Sequence, residues 1–159
     1  MNVRVGIFGA GMMGEAHAQA YRDVGATLVG VTDTRLEAAQ ALARRFDCRA
    51  YASKEELLDA GIDAVSICLP HRFHAEAALM AAAHRKHILM EKPLAVTLQE
   101  ADAIISACRA AGVRLMVGFI HRFLTSFREL RSMIESGAFG EIGLVVEHLA
   151  AGGPWPKVP

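Results

Sequence analysis

Residues 3–14 read VRVGIFGAGMMG, in which an apolar run leads directly into the pattern G-x-G-x-x-G. A helix-forming segment follows, and Asp33 closes a second apolar run, Leu28–Thr32, about 20 residues further on. A strand, a glycine-rich turn, a helix and an acid after the next strand form, in this order, the dinucleotide-binding fingerprint. A glycine turn that binds no cofactor is the alternative, which the flanking strand and acid disfavour.

The glycines and the first helical turn have separate physical roles in this fingerprint. Gly9 permits a tight turn from strand to helix, Gly11 lets a pyrophosphate approach the backbone, and Gly14 lets the helix pack closely on the strand. The N–H groups of the first turn, at Met12 and Met13, and the positive end of the helix dipole attract phosphate charge. We therefore expect these five residues to bind a cofactor pyrophosphate.

The acid after the second strand is expected to recognise an adenosine ribose. Asp33 can accept hydrogen bonds from the ribose hydroxyls. Thr34 and Arg35 follow at the same strand end and belong to the predicted cofactor site. Either Asp33 or Thr34 is also expected to cap the second helix.

Composition and charge narrow the class of protein. The 159 residues suffice for about one domain, and their 53% hydrophobic and 21% charged content is typical of a globular chain. Seventeen basic residues balance seventeen acidic ones without a basic stripe, so we expect no nucleic-acid partner. No apolar run approaches the ~20 residues that cross a bilayer, so we expect no membrane partner.

The N-terminus and the cysteines favour a cytoplasmic location. The chain starts as a strand, which is unlike a signal peptide. Cys48, Cys68 and Cys108 are widely spaced within apolar stretches, as expected of reduced thiols that pack as small apolar side chains.

Apolar strand-like runs alternate with amphipathic helices over the first 120 residues. The predicted strands are Val3–Phe8, Thr27–Thr32, Arg49–Ala52, Ala64–Leu69, His87–Glu91 and Arg114–Gly118. The predicted helices are Met13–Val24, Arg35–Phe46, Lys54–Ala60, His74–His84 and Leu98–Ala111. Strands this apolar are covered on both faces, which favours a parallel sheet with right-handed helical crossovers. The predicted fold class is α/β, with a doubly wound parallel sheet.

Signals at the predicted helix ends agree with this pattern. Ser53 precedes the third helix, and Thr97 stands three residues before Glu100 as a capping box. Gly112 stands where the fifth helix should end in the left-handed conformation.

The residues after position 120 follow a different pattern. A helix is predicted over Arg122–Ser136, ending at Gly137, and a strand over Glu141–Leu149. The prolines of the tail, residues 154–159, exclude regular structure there. The chain is therefore expected to end just after a new element has begun.

A second candidate cluster, Met90–Ala95, follows the fifth predicted strand. Ligands of doubly wound sheets bind beyond the carboxyl ends of the strands, so Lys92 is expected at the cleft. Its ammonium can hydrogen-bond a substrate hydroxyl or carbonyl and stabilise negative charge that develops on the oxygen. Pro93 fixes the turn and is a candidate for a cis peptide bond. A solvated lysine at a strand end is the plain alternative.

A third cluster, Leu69–Glu76, follows the fourth predicted strand, beside the point where the strand order reverses. This position predicts that Leu69, Pro70, His71 and His74 line the nicotinamide side of the crevice. Two His-x-x-His spacings occur in the chain, but a third ligand at metal-like spacing is lacking, so no metal is predicted.

Three further polar residues lie near the predicted crevice. His121 and Arg122 follow the sixth predicted strand, where Arg122 could contact a substrate oxygen. A salt bridge to Glu129 is the alternative. His17 lies on the first helix and is predicted to be packed or hydrogen-bonded rather than catalytic.

Taken together, these clusters resemble the glucose–fructose oxidoreductase, inositol dehydrogenase and MocA (Gfo/Idh/MocA) family of dinucleotide-dependent sugar oxidoreductases. The resemblance covers essentially the whole chain, and Glu91-Lys92-Pro93 is its most specific element. The other matching pieces are the glycine motif with His17, Asp33, the Pro70–His74 loop, Lys86–Ala95, Glu100-Ala101, Gly118-Phe119, Arg122-Phe123 and residues 136–143.

The resemblance implies roles for several of these residues. In the family, the corresponding lysine lies beside the nicotinamide and the substrate hydroxyl. Lys92 is therefore the predicted catalytic residue and, with Glu91, part of the cofactor site. The acid at Asp33 implies NAD rather than NADP, although Arg35 could accept a 2′-phosphate. The implied substrate is a small sugar or polyol.

Family members carry a second α/β domain that this chain does not contain. That domain supplies an Asp-x-x-x-His pair, whose histidine acts as general acid/base, and it builds the oligomer interface. The resemblance therefore implies a Rossmann domain over residues 1–120, a connecting helix over 121–140 and the start of a truncated second domain over 141–159. The complete protein is expected to form a homo-oligomer.

Three positions depart from the family's pattern. Leu69 replaces a usual threonine, His84-Arg85 replaces Ala-Gly, and Ile120 replaces a common asparagine. If Arg85 adopts the left-handed conformation, the strain costs ~1 kcal/mol.

The leading interpretation is the cofactor-binding half of an NAD-dependent sugar, cyclitol or polyol oxidoreductase, with hydride transfer between a substrate carbinol and the nicotinamide. A non-catalytic NAD-binding module, or a subunit completed by another chain, is the alternative. A half-begun strand at the end of the chain favours truncation over a stand-alone module. An S-adenosylmethionine-dependent methyltransferase shares the first strand, glycine turn and helix but leaves Glu91-Lys92-Pro93 unexplained.

Overall fold

A computed structural model describes residues 3–148. Its sheet contains β1 (Arg4–Phe8), β2 (Thr27–Thr32), β3 (Arg49–Tyr51), β4 (Ala64–Ile67), β5 (His87–Met90) and β6 (Leu115–Val117). The strands lie in the order β3-β2-β1-β4-β5-β6, and neighbouring strands are parallel. This is the doubly wound order, with its reversal between β1 and β4. The predicted fold class is confirmed.

Helices connect the strands. They are α1 (Met12–Asp23), α2 (Leu36–Arg45), α3 (Lys54–Leu58), α4 (His74–Ala83), α5 (Leu98–Ala111) and α6 (Thr125–Glu135). Short 3-10 helices cover His71–Phe73 and Ile120–Phe123. Within residues 3–148, none of the helices combines the length and the apolar character needed to cross a bilayer.

The sheet buries apolar side chains on both faces. Ile7 and Phe8 are adjacent in β1 and fully buried, and adjacent strand residues point to opposite faces. Ile7 packs with buried residues of α1 and α2, and Phe8 with those of α3, α4 and α5. Because helices cover both faces, contacts with a ligand must come from the strand ends and the loops that follow them.

The strands β1–β6 and helices α1–α5 agree with the predicted bounds to within two residues. Ser53 caps α3, and Thr97 forms the predicted capping box with Glu100 at the start of α5. Gly112 ends α5 with φ 67°. Arg85 has φ 56°, so the arginine does adopt the left-handed conformation expected at this departure from the family pattern.

The predicted cap of α2 is wrong. Its N-cap is Arg35, and no side chain caps the helix there. The Asp33 carboxylate instead accepts hydrogen bonds from the amides of Ala10, at 2.8 Å, and Arg35, at 2.9 Å. The carboxylate therefore connects the loop after β1 to the loop after β2 rather than capping the N-terminus of α2.

The described residues divide into two compact units, one ending at Phe119 and the other beginning at Ile120. In the second unit α6 begins at Thr125, after the predicted start, because the preceding residues, including Arg122, form a 3-10 helix. Gly137 ends the helical segment with φ 74°.

The strand predicted over Glu141–Leu149 is not formed at residues 141–148, which have no regular secondary structure. Leu149 and the proline-rich tail lie outside the described residues. A strand is stabilised by pairing with neighbouring strands, and among the described strands none pairs with this segment. Its apolar side chains are therefore exposed, with Leu144 at 82%.

Gly30 in β2 has no room for a side chain. A Cβ there would collide with the Arg49 carbonyl oxygen and the Tyr51 ring of β3. Gly30→Ala is therefore expected to lower the free energy of unfolding by about 2 kcal/mol through overpacking. Urea unfolding measures the change. Gly143→Ala, where nothing lies within 4 Å of the added carbon, is the control, and equal midpoints for the two variants would contradict this packing.

Candidate functional site

Three glycines shape the turn between β1 and α1. Gly9 has φ +100°, and a Cβ there would collide with the Cys68 carbonyl just beyond β4. A Cβ at Gly14 would collide with the carbonyl oxygen of Gly9. At Gly11, by contrast, nothing lies within 4 Å of the Cβ position. Gly9 and Gly14 thus allow the loop, helix and sheet to touch, and Gly11 borders open space.

The N-terminus of α1 opens into this space. Gly11 is its N-cap, and no side chain caps the helix. The N–H groups of the first turn, including those of Met12 and Met13, have no partner within the helix, and the helix dipole adds positive potential. The loop therefore offers backbone donors to an anion, which is the geometry that the predicted pyrophosphate site requires.

Asp33 ties the glycine loop to the end of β2 through the Ala10 and Arg35 amides. The Thr34 hydroxyl lies 3.5 Å from its Oδ1, and the guanidinium of Arg35 lies 3.7 Å from the same oxygen. The Arg35 side chain is 75% exposed and that of Asp33 is 13% exposed. Oδ2 accepts from the Ala10 amide and has a further lone pair, so Asp33 is held in place and can still accept a hydrogen bond from a ligand.

A cavity of about 200 Å³ lies beyond the carboxyl ends of β1, β2, β3 and β4. Its lining residues are Phe8, Thr32, Asp33, Thr34, Ala52, Ser53, Lys54, Glu55, Leu69, Glu76 and Met80. Lys54 of α3 and Glu76 of α4 form an ion pair at 2.9 Å. The sequence prediction omits the residues that follow β3, although the strand-end rule that locates Asp33 also applies to them.

The loop after β4 contains exposed and buried parts. Pro70 and His71 are exposed, and Leu69 lines the cavity. His74, by contrast, is fully buried, and its predicted place at the crevice stays a prediction. Its ring nitrogens lie 2.7 Å from the Pro93 carbonyl oxygen and 2.9 Å from the Leu69 carbonyl oxygen, because the side chain turns inward between the two loops.

The Lys92 turn, residues 91–93, follows β5. Lys92 is exposed, and the Lys92–Pro93 peptide bond is cis, as the sequence suggests. Glu91 is only 7% exposed, and its Oε2 accepts a hydrogen bond from the Lys92 amide at 3.3 Å. The carboxylate of Glu91 faces inward, toward His17, and cofactor binding by Glu91 stays a prediction.

A buried hydrogen-bond network, absent from the sequence prediction, holds this carboxylate. His17 Nε2 lies 3.1 Å from Glu91 Oε1, and His17 Nδ1 lies 3.0 Å from Ser66 Oγ. The Tyr21 hydroxyl lies 2.6 Å from the same serine oxygen. His17 is thus hydrogen-bonded, as predicted. No short-range sequence signal links its partners, which lie on different elements.

Burial favours the neutral form of the cysteine thiols in this unit. It raises the pKa of the Cys68 thiol to about 12, and the negative charge of Glu91 adds to the effect. Burial also raises the pKa of Cys48 to about 11, with a contribution from Asp47. All three cysteines are free. They pack as neutral side chains and supply no thiolate to the site.

The two His-x-x-His spacings do not build a metal centre. The ring of His74 contacts backbone carbonyls, and His84 Nδ1 lies 2.9 Å from the Met80 carbonyl oxygen. Within residues 3–148, no group of three or more His, Cys, Asp or Glu side chains is arranged to hold a metal ion.

The predicted substrate residues lie in the second unit. The ring of His121 stacks on that of Phe127, with centroids 5.7 Å apart. Arg122 lines a groove of about 520 Å³. The other lining residues are Phe123, Arg128, Arg131, Ser132 and Glu135. Substrate binding by His121 and Arg122 stays a prediction.

The comparison with protein families agrees with this geometry. The model of the GFO_IDH_MocA oxidoreductase family, an NAD-binding Rossmann fold, matches residues 3–119. The chain belongs to this family. The matched region includes the glycine loop, Asp33 and the Lys92 turn, so the family membership suggested by the resemblance is confirmed.

The relatives of this Gfo/Idh/MocA chain are longer proteins. It is 34% identical over 146 residues to glucose-6-phosphate 3-dehydrogenase of Bacillus subtilis, covering 91% of the chain and 41% of that protein. It is 36% identical over 146 residues to inositol 2-dehydrogenase of Rhizobium meliloti, covering 91% of the chain and 44% of that protein. The chain thus spans less than half the length of these curated relatives.

A solved structure shows the same fold with a cofactor bound. The WlbA dehydrogenase from Bordetella pertussis, in complex with NADH and UDP-GlcNAcA, aligns with a TM-score of 0.81 at 32% identity. The alignment covers 87% of this Gfo/Idh/MocA chain and 41% of the WlbA chain.

Because the space at Gly11 is open, a substitution there can test cofactor binding without a large effect on stability. Gly11→Ala adds a methyl group that touches no protein atom. The free energy of unfolding should therefore change by less than about 1 kcal/mol, mostly because alanine is a weaker N-cap than glycine. The same methyl occupies the approach of a pyrophosphate, so NAD affinity should fall at least about tenfold, as measured by calorimetry. Unchanged affinity in this variant would contradict the placement of the pyrophosphate.

The raised thiol pKa values predict slow alkylation and a loss of stability in alkali. Above the ordinary thiol pKa of about 8.5 the unfolded state ionises first, so stability falls as pH rises toward about 12, the folded pKa of Cys68. At pH 8, iodoacetamide should modify Cys68 at least about tenfold more slowly than it modifies the guanidinium-unfolded control. Peptide mass spectrometry measures both rates, and equal rates would refute the burial.

Proposed function

We propose that the chain is the cofactor-binding half of an NAD-dependent oxidoreductase that acts on a sugar, cyclitol or related polyol. One observation carries the proposal: the open glycine loop, Asp33 and the exposed Lys92 converge at the carboxyl ends of strands on both sides of the sheet reversal. In doubly wound sheets this crevice is where a dinucleotide lies. The names of the relatives, dehydrogenases of a sugar phosphate and of inositol, support the substrate class.

We propose NAD as the preferred cofactor. A 2′-phosphate on the adenosine ribose would bring its negative charge against the Asp33 carboxylate, whereas a free 2′-hydroxyl can donate to it. The Arg35 guanidinium, which could attract such a phosphate, already lies 3.7 Å from Asp33. The NADH in the WlbA structure is consistent with this preference.

The proposed reaction is hydride transfer between a substrate carbinol carbon and the cofactor. Bound NAD would supply the hydride acceptor, nicotinamide C4. The Lys92 ammonium donates a hydrogen bond to the substrate oxygen and stabilises the negative charge that builds there as the proton departs. Leu69, Pro70 and His71 flank the nicotinamide from the loop after β4. By family resemblance, the histidine that takes the proton belongs to a second domain.

The same proposal extends to the rest of the protein. Residues 1–120 form the nucleotide-binding domain, 121–140 the connecting helix, and 141–159 the start of a substrate and oligomerisation domain. His121 and Arg122 contribute to the substrate site. The complete protein is a cytoplasmic homo-oligomer, for which the free cysteines support the location.

Calorimetric titration of the chain with NAD and NADP tests the proposal. NAD should bind at least about tenfold more tightly than NADP. Asp33→Ala should weaken NAD binding by about tenfold or more, because it removes charge-assisted hydrogen bonds to the ribose. Glu37→Ala removes a carboxylate from the first turn of α2 and, as the matched control, should bind NAD within about twofold of the wild type.

Two further results test the ribose assignment and distinguish a cofactor-binding half from a complete enzyme. An Asp33→Ala variant that keeps full NAD affinity would show that the ribose assignment is wrong. NADH oxidation assayed on the same sample separates a binding half from a complete enzyme, since binding without turnover is expected of a chain that lacks the acid/base histidine. Turnover would place a proton-transfer group within this chain.

A further inference from the structure

The Lys92 turn is held at both of the residues that flank Lys92. The ring of His17, from α1, contacts Glu91, and the ring of His74, from α4, contacts the Pro93 carbonyl. Each ring directs its second nitrogen to β4 or to the loop after it. These two histidine staples therefore connect the ends of β4 and β5.

One arrangement of protons gives every polar group of the His17 staple a hydrogen-bond partner. The Glu91 carboxylate only accepts, so His17 Nε2 donates to it at 3.1 Å. Nδ1 of the neutral ring then accepts from the Ser66 hydroxyl at 3.0 Å, and Ser66 Oγ accepts from the Tyr21 hydroxyl at 2.6 Å. The other Glu91 oxygen accepts from the Lys92 amide at 3.3 Å. The hydrogen bonds from α1 and from the Lys92 amide thus converge on the Glu91 carboxylate.

The His74 staple holds the opposite end of the turn through carbonyl groups. The oxygens of Pro93 and Leu69 lie 2.7 Å and 2.9 Å from its two ring nitrogens. Carbonyl oxygens only accept, so the donor in each hydrogen bond that forms here is a ring N–H of His74. The ring is fully buried, where a hydrogen bond is stronger than in water. This staple fixes the carbonyl of Pro93 directly after Lys92.

The two staples approach from opposite faces of the sheet. Ala18 of α1, one residue after His17, packs in the cluster of Ile7, and Ala77 of α4 packs in the cluster of Phe8. Ile7 and Phe8 are neighbours in β1 and point to opposite sides. The Lys92 turn is therefore contacted from both faces of the sheet rather than from one.

We propose that His17 and His74 are positioning residues that jointly fix the backbone of Lys92 at the crevice. The inference rests on the proposed function, in which the Lys92 ammonium meets the substrate oxygen. Lys92 carries its charge on a flexible four-carbon stem. The position of its ammonium group therefore depends on how firmly the backbone is held. Both nitrogens of each ring are engaged, so neither histidine acts on substrate itself.

Amide hydrogen exchange in the 159-residue chain, resolved by NMR, tests the proposal. His17→Leu and His74→Leu should each accelerate exchange at the Lys92 amide at least about tenfold, because each removes a buried hydrogen-bonded contact from the turn. The Ile7 amide in the centre of the sheet reports global opening. A merely structural role would accelerate both amides alike, and that result would overturn the proposal.

Matched variants separate hydrogen bonding from bulk. His17→Gln and His74→Gln keep a side-chain N–H donor and should hold Lys92 exchange within about threefold of the wild type. His84→Leu removes a histidine whose ring lies 2.9 Å from the Met80 carbonyl oxygen and 3.9 Å from Asp59 Oδ1, both outside the Lys92 turn, and should leave Lys92 exchange unchanged. If His74→Leu does not fold, His74→Asn replaces it, since the shorter amide cannot span the same distance. Glutamine variants as fast as the leucine variants would overturn the proposal.

The double variant tests whether the staples act together. With one staple intact the turn is still held, so His17→Leu/His74→Leu should accelerate Lys92 exchange by more than the product of the single effects. An acceleration equal to that product would mean that the histidines act independently, against the proposal.

A separate measurement distinguishes failure of the staples from failure of the proposed function. A nuclear Overhauser effect between the Lys92 side chain and the nicotinamide ring of bound NADH is expected in the wild type and should be lost in both leucine variants. Its absence in the wild type would contradict the proposed placement of Lys92 while the exchange comparison still decides on the staples. Its persistence in both leucine variants would overturn the positioning role.

Discussion

The structure depends on the close approach of backbone to backbone where β1 meets α1. Gly9 and Gly14 have no space for a Cβ, because the Cys68 and Gly9 carbonyls occupy it. This contact sets the height of α1 above the sheet, and with it the positions of its free first-turn N–H groups and of His17 further along the helix. One steric constraint thus places both the anion-binding end of α1 and its contact with Glu91.

The reversal of strand order between β1 and β4 explains why residues far apart in the sequence share one crevice. Helices leave the sheet on opposite faces on either side of this point, so the loops after β1 and β4 separate and leave an opening. Asp33, Leu69 and the Lys92 turn all follow parallel strands and so lie along the same edge. The fold supplies the placement, and the identities of these residues supply the chemistry.

Elements with local sequence signals are predicted correctly. Features that depend on contacts between residues far apart in the sequence are not. The glycine motif, the Thr97 capping box and the left-handed Gly112 each depend on a few neighbouring residues, and the structure contains all three. His74 is different, because a position beyond a strand does not say whether a side chain turns outward or into the gap between two loops. The contacts of His17 with Ser66 and Glu91 join α1, β4 and the turn after β5. The predicted strand at residues 141–148 requires a partner strand that local periodicity cannot supply.

Asp33 joins two properties that are often treated as separate. Its carboxylate is the proposed discriminator between ribose forms, and the same carboxylate anchors the glycine loop through the Ala10 amide at 2.8 Å. An evolutionary replacement of Asp33 would therefore also release the loop that is predicted to bind the pyrophosphate. The proposed cofactor preference is thus coupled to the anchoring of the loop: a lineage drifting toward a phosphorylated ribose would first need another tether for Ala10.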